Sequence, residues 1–241
     1  MAILLQSCAP QPARNGISSE ASQRERARIH TELGAGYYQQ NQIAIALDEF
    51  TAAVGFDPTY SMAYNGLGMV YAALREDAKA DANFKKAIAL DPKDSEAHNN
   101  YGSFLCARNR IDESVVQFLG AVKNPLYITP GVAYMNAGLC SLRKPDVKAA
   151  ESYFRQALQL DPQLNQAAYQ LAKIYYNDKK YQFARDALQN AVTNSPAAEV
   201  LWLGVLVERQ LGDKNAEASY ELELRRSYPD SEQTKALMQE K

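Results

Sequence analysis

The stretch that decides the fold is AYNGLGMVYAALREDAKADANFKKAIALDP, residues 63–92. Its marked positions are Leu67, Gly68, Tyr71, Ala80, Phe84, Ala87, Asp91 and Pro92. The same eight residue types occur 34 residues earlier, from Leu33 to Pro58. Ala80, Phe84 and Ala87 stand at i, i+4 and i+7, which places them on one face of a helix. Because the closing proline cannot continue a helix, each unit is predicted to be two antiparallel helices ended by that proline.

The pattern continues along most of the chain. Further copies read Tyr101-Gly102…Ser114…Phe118…Ala121…Pro125, then Ala137-Gly138…Ala150…Phe154…Ala157…Asp161-Pro162, then Leu171-Ala172…Tyr175…Ala184…Leu188…Ala191…Pro196, and a degenerate sixth with Ala218, Leu222 and Pro229. The glycines let a second helix approach closely, and the aromatic residues fill the space between units. One such helix pair cannot bury its apolar face alone, so the units are expected to stack.

These units resemble the tetratricopeptide repeat over roughly residues 27–232. The resemblance implies an all-α fold, a right-handed superhelical α-solenoid of six helix-turn-helix repeats with a C-terminal capping helix. The expected repeat boundaries are 27–60, 61–94, 95–130, 131–164, 165–198 and 199–232, with a capping tail at 233–241.

Composition and motifs exclude several classes of function. The chain has 26 Lys and Arg against 28 Asp and Glu, a balance that argues against nucleic acid as a partner because phosphate binding needs clustered positive charge. No spacing typical of a metal site, a phosphate loop or a catalytic centre occurs. His30 and His98 occupy the same repeat position and are predicted to pack or line a rim. We therefore expect a non-enzyme with no cofactor, no metal and no small-molecule substrate.

The family resemblance implies a concave groove lined by the first helix of each pair. The groove residues expected to contact a polypeptide are Tyr38, Met62, Asn65, Met69, Asn99, Met135, Leu139, Tyr169 and Tyr176. Methionine and tyrosine adapt to varied surfaces at low entropic cost, which suits peptide binding. The cations of the carboxylate clamp found in chaperone adaptors are missing, because those positions hold residues such as Val132 and Asn136.

The start of the chain, ILLQSCAP at residues 3–10, resembles a bacterial lipobox ending at Cys8. On this interpretation residues 1–7 are the remnant of a lipoprotein signal, and residues 8–26 are the lipidated cysteine and a flexible tether. Ala9 follows Cys8 where an inner-membrane lipoprotein commonly has aspartate, which implies the periplasmic face of the outer membrane. The alternative is an unmodified start with a stray cysteine.

The other two cysteines, Cys106 and Cys140, fall near the C-terminal ends of neighbouring first helices. A disulfide between them is geometrically plausible and would be permitted in an oxidising periplasm. The alternative is two unpaired, half-buried thiols.

A short lipoprotein tether before six tetratricopeptide repeats is similar to the PilW/PilF-type lipoproteins of type IV pilus biogenesis. Residues 46–58 and 63–92 carry the resemblance. It implies a pilotin that binds the secretin subunit of the type IV pilus machine, holds it at the outer membrane through the lipid anchor, and promotes its multimerisation. Two alternatives remain open: another periplasmic lipoprotein adaptor, serving barrel assembly or cell-wall enzymes, and a cytosolic tetratricopeptide adaptor without lipid.

Overall fold

The computed structural model describes residues 19–191 and 196–239, and all regular secondary structure in these ranges is α-helical. The helices are α1 (Ser19–Gln39), α2 (Ile43–Phe56), α3 (Ser61–Ala73), α4 (Asp77–Leu90), α5 (Ser95–Ala107), α6 (Ile111–Ala121), α7 (Pro130–Arg143), α8 (Val147–Leu160), α9 (Asn165–Asn177), α10 (Tyr181–Ala191), α11 (Ala198–Leu211), α12 (Lys214–Ser227) and α13 (Glu232–Gln239). They fall into two compact units, Met1–Leu90 and Asp91–Lys241. Among the described residues, no helix has the length and apolar character needed to cross a bilayer.

The first unit stacks the hairpin α1/α2 on the hairpin α3/α4. Phe50 of α2 is buried between two glycines, Gly34 of its own hairpin and Gly66 of the next. A Cβ atom at Gly66 would lie 2.2 Å from Phe50 Cε1, and one at Gly34 would lie 2.9 Å from the same atom. Glycine is therefore required at both positions, because a larger residue would clash with the Phe50 ring and displace it.

The second unit repeats this arrangement in the hairpins α5/α6, α7/α8, α9/α10 and α11/α12. Phe118 packs on Gly102 and Phe154 on Gly138, so that a Cβ at either glycine would come within 2.8 Å of the ring. Ser114 replaces the usual small apolar residue, and its buried hydroxyl donates to the carbonyl of Gly102 at 2.7 Å. The short helix α13 closes this unit against α11 and α12, with Thr234 and Leu237 buried.

The turn inside five of the six hairpins has a recurring form, the exception being α7/α8. Asn41, Arg75, Asn109 and Lys179 all have φ near +60°, and Gly212 has φ +77°. In each case the following N–H donates to a carbonyl five residues back, as from Glu76 to Tyr71 at 2.9 Å. This is a left-handed helix stop, and it reverses the chain at the same point of five different repeats.

The structure corrects two sequence-based expectations. The helix α1 begins at Ser19, so residues 19–26 are helical and the tether assigned to 8–26 is wrong for this part. Arginines of this extension contact repeat 1: Arg24 lies 3.3 Å from Asp57, and Arg26 lies over the ring of Phe56. Residues 1–18, which include Cys8 and the proposed signal remnant, lie outside the described residues.

The second correction concerns the register of the sixth repeat. Ala218 and Leu222 are exposed, whereas Tyr220 packs against Gly204, where a Cβ would lie 2.7 Å from the ring. Ala218 and Leu222 reproduce the i, i+4 spacing of Ala46 and Phe50, but Ala216 and Tyr220 have the same spacing two residues earlier. The helix α12 then continues for seven residues past Tyr220, whereas α2 continues for six past Phe50.

Candidate functional site

In the first unit, three of the predicted groove residues lie on one face of α3. Met62, Asn65 and Met69 are spaced i, i+3 and i+7, so they share that face. Met62 is 54% exposed, and the hydroxyl of Tyr60 donates to its sulfur at 3.4 Å. Asn65 and Met69 are half-buried. The face is thus apolar, adaptable and open at Met62.

Tyr38, the remaining predicted groove residue of this unit, stands near the end of α1. Its ring is half-buried against the cluster that contains Phe50, Leu67 and Val70. Part of this tyrosine therefore completes the core, and the rest is available for contact with another molecule.

A second surface of the first unit was missed by sequence reasoning. The outer face of α1 carries a stripe, hereafter the α1 stripe, formed by Ile29, Glu32, Leu33, Gly36, Tyr37 and Gln40. These residues line an open depression of about 400 Å³. Leu33 is 45% exposed, whereas Leu67, its equivalent one repeat later, is 7% exposed because the preceding hairpin covers it. The signal that could have found the stripe is that residues 1–26 do not carry the repeat pattern and so supply no repeat to cover Leu33.

Charged residues border this unit near the turn between its hairpins. The carboxylate of Asp57 accepts from the Thr59 hydroxyl at 2.6 Å and faces Arg24, and these contacts hold its pKa below the usual range. Burial raises the pKa of Tyr60, over whose ring the guanidinium of Arg24 lies at 5.4 Å. Asp57 therefore stays ionised and Tyr60 stays neutral near neutral pH, and the contacts of Arg24 with both hold the start of α1 on its hairpin.

In the second unit, the predicted residues Met135, Leu139, Tyr169 and Tyr176 are brought together. All four are half-buried and pack against one core cluster, which includes Phe154 and Leu171. Tyr176 also contacts Tyr181, with ring centroids 5.7 Å apart. Burial raises the pKa of Tyr169, and the nearby Glu199 adds to that effect.

Asn99 lies apart from that cluster, on α5. Its side-chain oxygen accepts a hydrogen bond of 3.1 Å from the amide of Asn136 on α7. The pair joins the first helices of two consecutive repeats and presents half-buried amide groups there. Amides in this position can bind the backbone of an extended peptide.

A disulfide joins Cys106 of α5 to Cys140 of α7, the pair that the sequence analysis considers, with a Cα–Cα distance of 5.9 Å. Cys140 is fully buried, and Cys106 is half-buried. The guanidinium of Arg143 donates to the Cys106 carbonyl and lies 3.8 Å from its sulfur. The bond therefore links two neighbouring repeats beside the Asn99–Asn136 pair.

The two histidines have structural partners. His30 Nδ1 lies 2.6 Å from a carboxylate oxygen of Glu49, and its ring stacks on Phe56. His98 Nδ1 lies 2.8 Å from the side-chain oxygen of Gln117. No group of three or more potential metal ligands occurs among the described residues.

Comparison with known families gives three matches, all described as tetratricopeptide repeat. They cover residues 61–94, 83–115 and 132–164. Together with the six helical hairpins that α1 to α12 form among the described residues, these matches show that the chain is built of tetratricopeptide repeats.

Similarity to individual proteins extends much further than these three repeats. The chain is 28% identical over 232 residues to the type IV pilus assembly protein PilF of Pseudomonas aeruginosa. That alignment covers 96% of this chain and 92% of PilF. The solved structure of P. aeruginosa PilF aligns with a TM-score of 0.79 and 29% identity, over 91% of this chain and all of that one. The structure of PilW, described as a widely conserved type IV pilus biogenesis factor, aligns with a TM-score of 0.71 and 29% identity, over 88% of this chain and 98% of PilW.

Proposed function

We propose that this PilF/PilW-like tetratricopeptide protein acts in type IV pilus biogenesis by binding the secretin subunit at the outer membrane and promoting its multimerisation. Binding and tethering would be its whole contribution, with no chemical step. The observation that carries the proposal is the extent of the similarity to PilF, which includes 96% of this chain and reaches far beyond the matched repeats. A generic tetratricopeptide adaptor would share the repeat signature alone.

The first unit offers the better contact surfaces for a secretin segment. The α3 face has an exposed methionine, Met62, beside the amide of Asn65. The α1 stripe presents Ile29 and Leu33 one helical turn apart, with Glu32 between them. An amphipathic helix can cover such a stripe with its own i, i+3, i+4 apolar residues. We assign the secretin segment to these two surfaces.

In this proposal the lipid anchor is at Cys8, which is acylated as the first residue of the mature lipoprotein. Each buried methylene contributes about 0.8 kcal/mol, so several long chains hold the protein permanently at the bilayer. Because α1 already begins at Ser19, only 11 residue steps separate it from Cys8. A fully extended chain of that length spans at most about 40 Å, so the first unit stays close to the membrane surface.

The deciding experiment is deletion of the gene and complementation with variants, scoring surface pili and heat-resistant secretin multimers together. Met62→Glu is expected to reduce both, while Leu74→Glu, an exposed apolar residue of the same unit that lies past the end of α3, serves as its control. Ile29→Glu tests the α1 stripe against Ile45→Glu, which has the same exposure on α2. Normal multimers in the deletion strain contradict the proposal.

Two further measurements separate the alternatives. A pull-down from envelope extract should recover the secretin; recovery of barrel-assembly or cell-wall enzymes instead would favour a different lipoprotein adaptor. Mass spectrometry of the protein from its native host should find acyl chains on Cys8. A free thiol on an unprocessed chain would favour the cytosolic adaptor.

A further inference from the structure

The connection between α6 and α7 differs from the other connections between hairpins. It contains the eight residues 122–129, whereas α2–α3, α4–α5 and α8–α9 are each joined by four. At its tip, Leu126 is 84% exposed and Ile128 is 87% exposed. No other large apolar side chain of the described residues is as exposed as these two. We refer to residues 124–130 as the apolar loop.

The apolar loop has a fixed internal structure. The side-chain oxygen of Asn124 accepts from the N–H of Leu126 at 3.0 Å, and its carbonyl accepts from the N–H of Tyr127 at 3.1 Å. The amide of Asn124 donates to the carbonyl of Lys93 at 3.1 Å, which fixes the loop to the neighbouring turn. Tyr127 is buried beside Ala121 and Ala133. With Tyr127 directed inward, the residues on either side of it, Leu126 and Ile128, are directed outward.

We propose that the apolar loop inserts Leu126 and Ile128 into the interfacial region of a phospholipid bilayer. A convex tip carrying two aliphatic side chains needs no complementary pocket in a membrane, whereas a protein partner would have to supply one. The N–H groups of Leu126 and Tyr127 are already satisfied within the loop, so insertion leaves neither without a partner.

Two lysines beside the loop can reach the phosphate level of a bilayer. Lys93 and Lys123 are exposed at its base, and long basic side chains can extend to lipid phosphates while apolar neighbours enter the membrane. Three carboxylates, those of Asp91, Asp94 and Glu96, stand on the neighbouring turn and the start of α5, so the contact rests on apolar insertion and on single lysine–phosphate contacts, and not on net positive charge. The side chain of Asp94 is engaged by the N–H of Ala97 as the cap of α5, which directs it toward the helix.

Two aliphatic side chains alone bind a membrane weakly, and the inference therefore rests on the lipid anchor of the proposed function for a high local concentration of bilayer. The loop then acts as a second, weaker contact that orients the second unit against the membrane. Secretin binding is not required for this contact.

The test attaches the full chain to vesicles through the thiol of Cys8, using a maleimide lipid, since Cys106 and Cys140 are joined to each other. The vesicles contain phosphatidylethanolamine and phosphatidylglycerol with a brominated lipid that quenches tryptophan. Leu126→Trp is compared with Gln163→Trp, an exposed position in the ordinary turn between α8 and α9, and the wild-type chain with its Trp202 gives the baseline.

The Leu126→Trp chain should lose about half of its added fluorescence, with a blue shift, because the new indole sits at the depth of the bromines. The Gln163→Trp chain should remain unquenched. Equal quenching of the two variants, or none in either, overturns the inference. The double variant Leu126→Ser/Ile128→Ser should fold normally, as measured by circular dichroism, and should still recover secretin in a pull-down. If it folds normally but no longer recovers secretin, the loop binds a protein and the bilayer assignment is wrong. Because coupling at Cys8 replaces native acylation, failure here leaves the proposed function standing.

Discussion

The hairpins α3/α4 and α11/α12 have the same shape and different chemistry at the contact between their helices. In α3/α4, Phe84 fills the space above Gly68, with Ala80 and Ala87 fully buried beside it. In α11/α12, Tyr220 occupies the place of the phenylalanine above Gly204.

Buried ionised groups take over part of the packing in the last hairpin. Glu208 pairs with Arg185 of α10, and Glu217 pairs with Arg209 and Lys214. Both glutamates are almost fully buried. The same hairpin geometry is therefore stabilised by apolar packing in α3/α4 and partly by paired charges in α11/α12. The two solutions should respond to different perturbations.

The largest effect is expected from removing apolar volume in α3/α4. Phe84→Ala should lower the free energy of unfolding by about 3–5 kcal/mol, because the ring is 1% exposed and its site cannot collapse fully. Urea denaturation followed by circular dichroism measures the loss. Phe84→Leu, which keeps most of the volume, should lose much less. A loss below 1 kcal/mol for the alanine variant would show that the ring does not hold this hairpin together.

Breaking the buried ion pair of the last hairpin should cost less. Glu208→Ala is expected to lower the free energy of unfolding by about 2 kcal/mol, since Arg185 loses its main partner but keeps Asp213 at 3.3 Å. The double variant Arg185→Leu/Glu208→Leu should recover most of this loss, because no charge is then left buried without a partner. If the double variant is less stable than Glu208→Ala, the ion pair stabilises the fold more than two apolar side chains do, and this prediction is wrong.

The next largest effect is a pH dependence of the unfolding free energy that comes from the α11/α12 hairpin. Hydrogen bonds from Arg209 and then Lys214 hold the pKa of Glu217 below its usual value. A carboxyl group whose folded pKa is lowered adds stability above its unfolded pKa, and that stability is lost as pH falls through the folded value. Urea midpoints should therefore drop more steeply below about pH 4.5 in the wild type than in Glu217→Gln. Parallel pH profiles would mean that Glu217 binds protons equally in both states.

The smallest effect concerns the left-handed residue that follows the first helix in five of the six hairpins. Gly212→Ala should cost about 1 kcal/mol, since a Cβ is disfavoured at φ +77°. Arg75→Gly at the equivalent turn of α3/α4, where φ is +60°, should be neutral or stabilising by about 0.5 kcal/mol. Thermal unfolding of both variants measures the opposite signs. The same sign for both would contradict a shared turn geometry.

The helical hairpins and their contacts could be predicted from sequence because each rests on a repeated local pattern. The 34-residue spacing predicts close-packed glycines and space-filling aromatic residues, and the structure adds that the two meet, with Phe50 on Gly34 and Phe84 on Gly68. The extension of α1 to Ser19 could not be predicted, because arginines contacting Asp57 and Phe56 hold it there without any apolar periodicity. The register of the sixth repeat was wrong for a different reason: two pairs of residues, Ala218 with Leu222 and Ala216 with Tyr220, have the repeat's i, i+4 spacing, and the structure places Tyr220 against the glycine.

The candidate contact surfaces were predicted less completely. Family positions select residues such as Met62 and Tyr176, whose side chains the structure leaves partly exposed, and their contact with a partner stays a prediction. They could not identify the α1 stripe, since Leu33 is exposed only because the described residues include no hairpin before α1. Nor could they identify Leu126 and Ile128, whose exposure follows from the anchoring of Tyr127 between them.

The disulfide between α5 and α7 has a mechanical consequence. Stacked hairpins yield to tension by opening at the joints between neighbouring repeats, since each repeat is held only to the next. At this joint the Cα atoms of Cys106 and Cys140 remain 5.9 Å apart for as long as the sulfurs are oxidised. A protein pulled at both ends would therefore stretch at its other joints first, and reduction would change its stiffness at this one place.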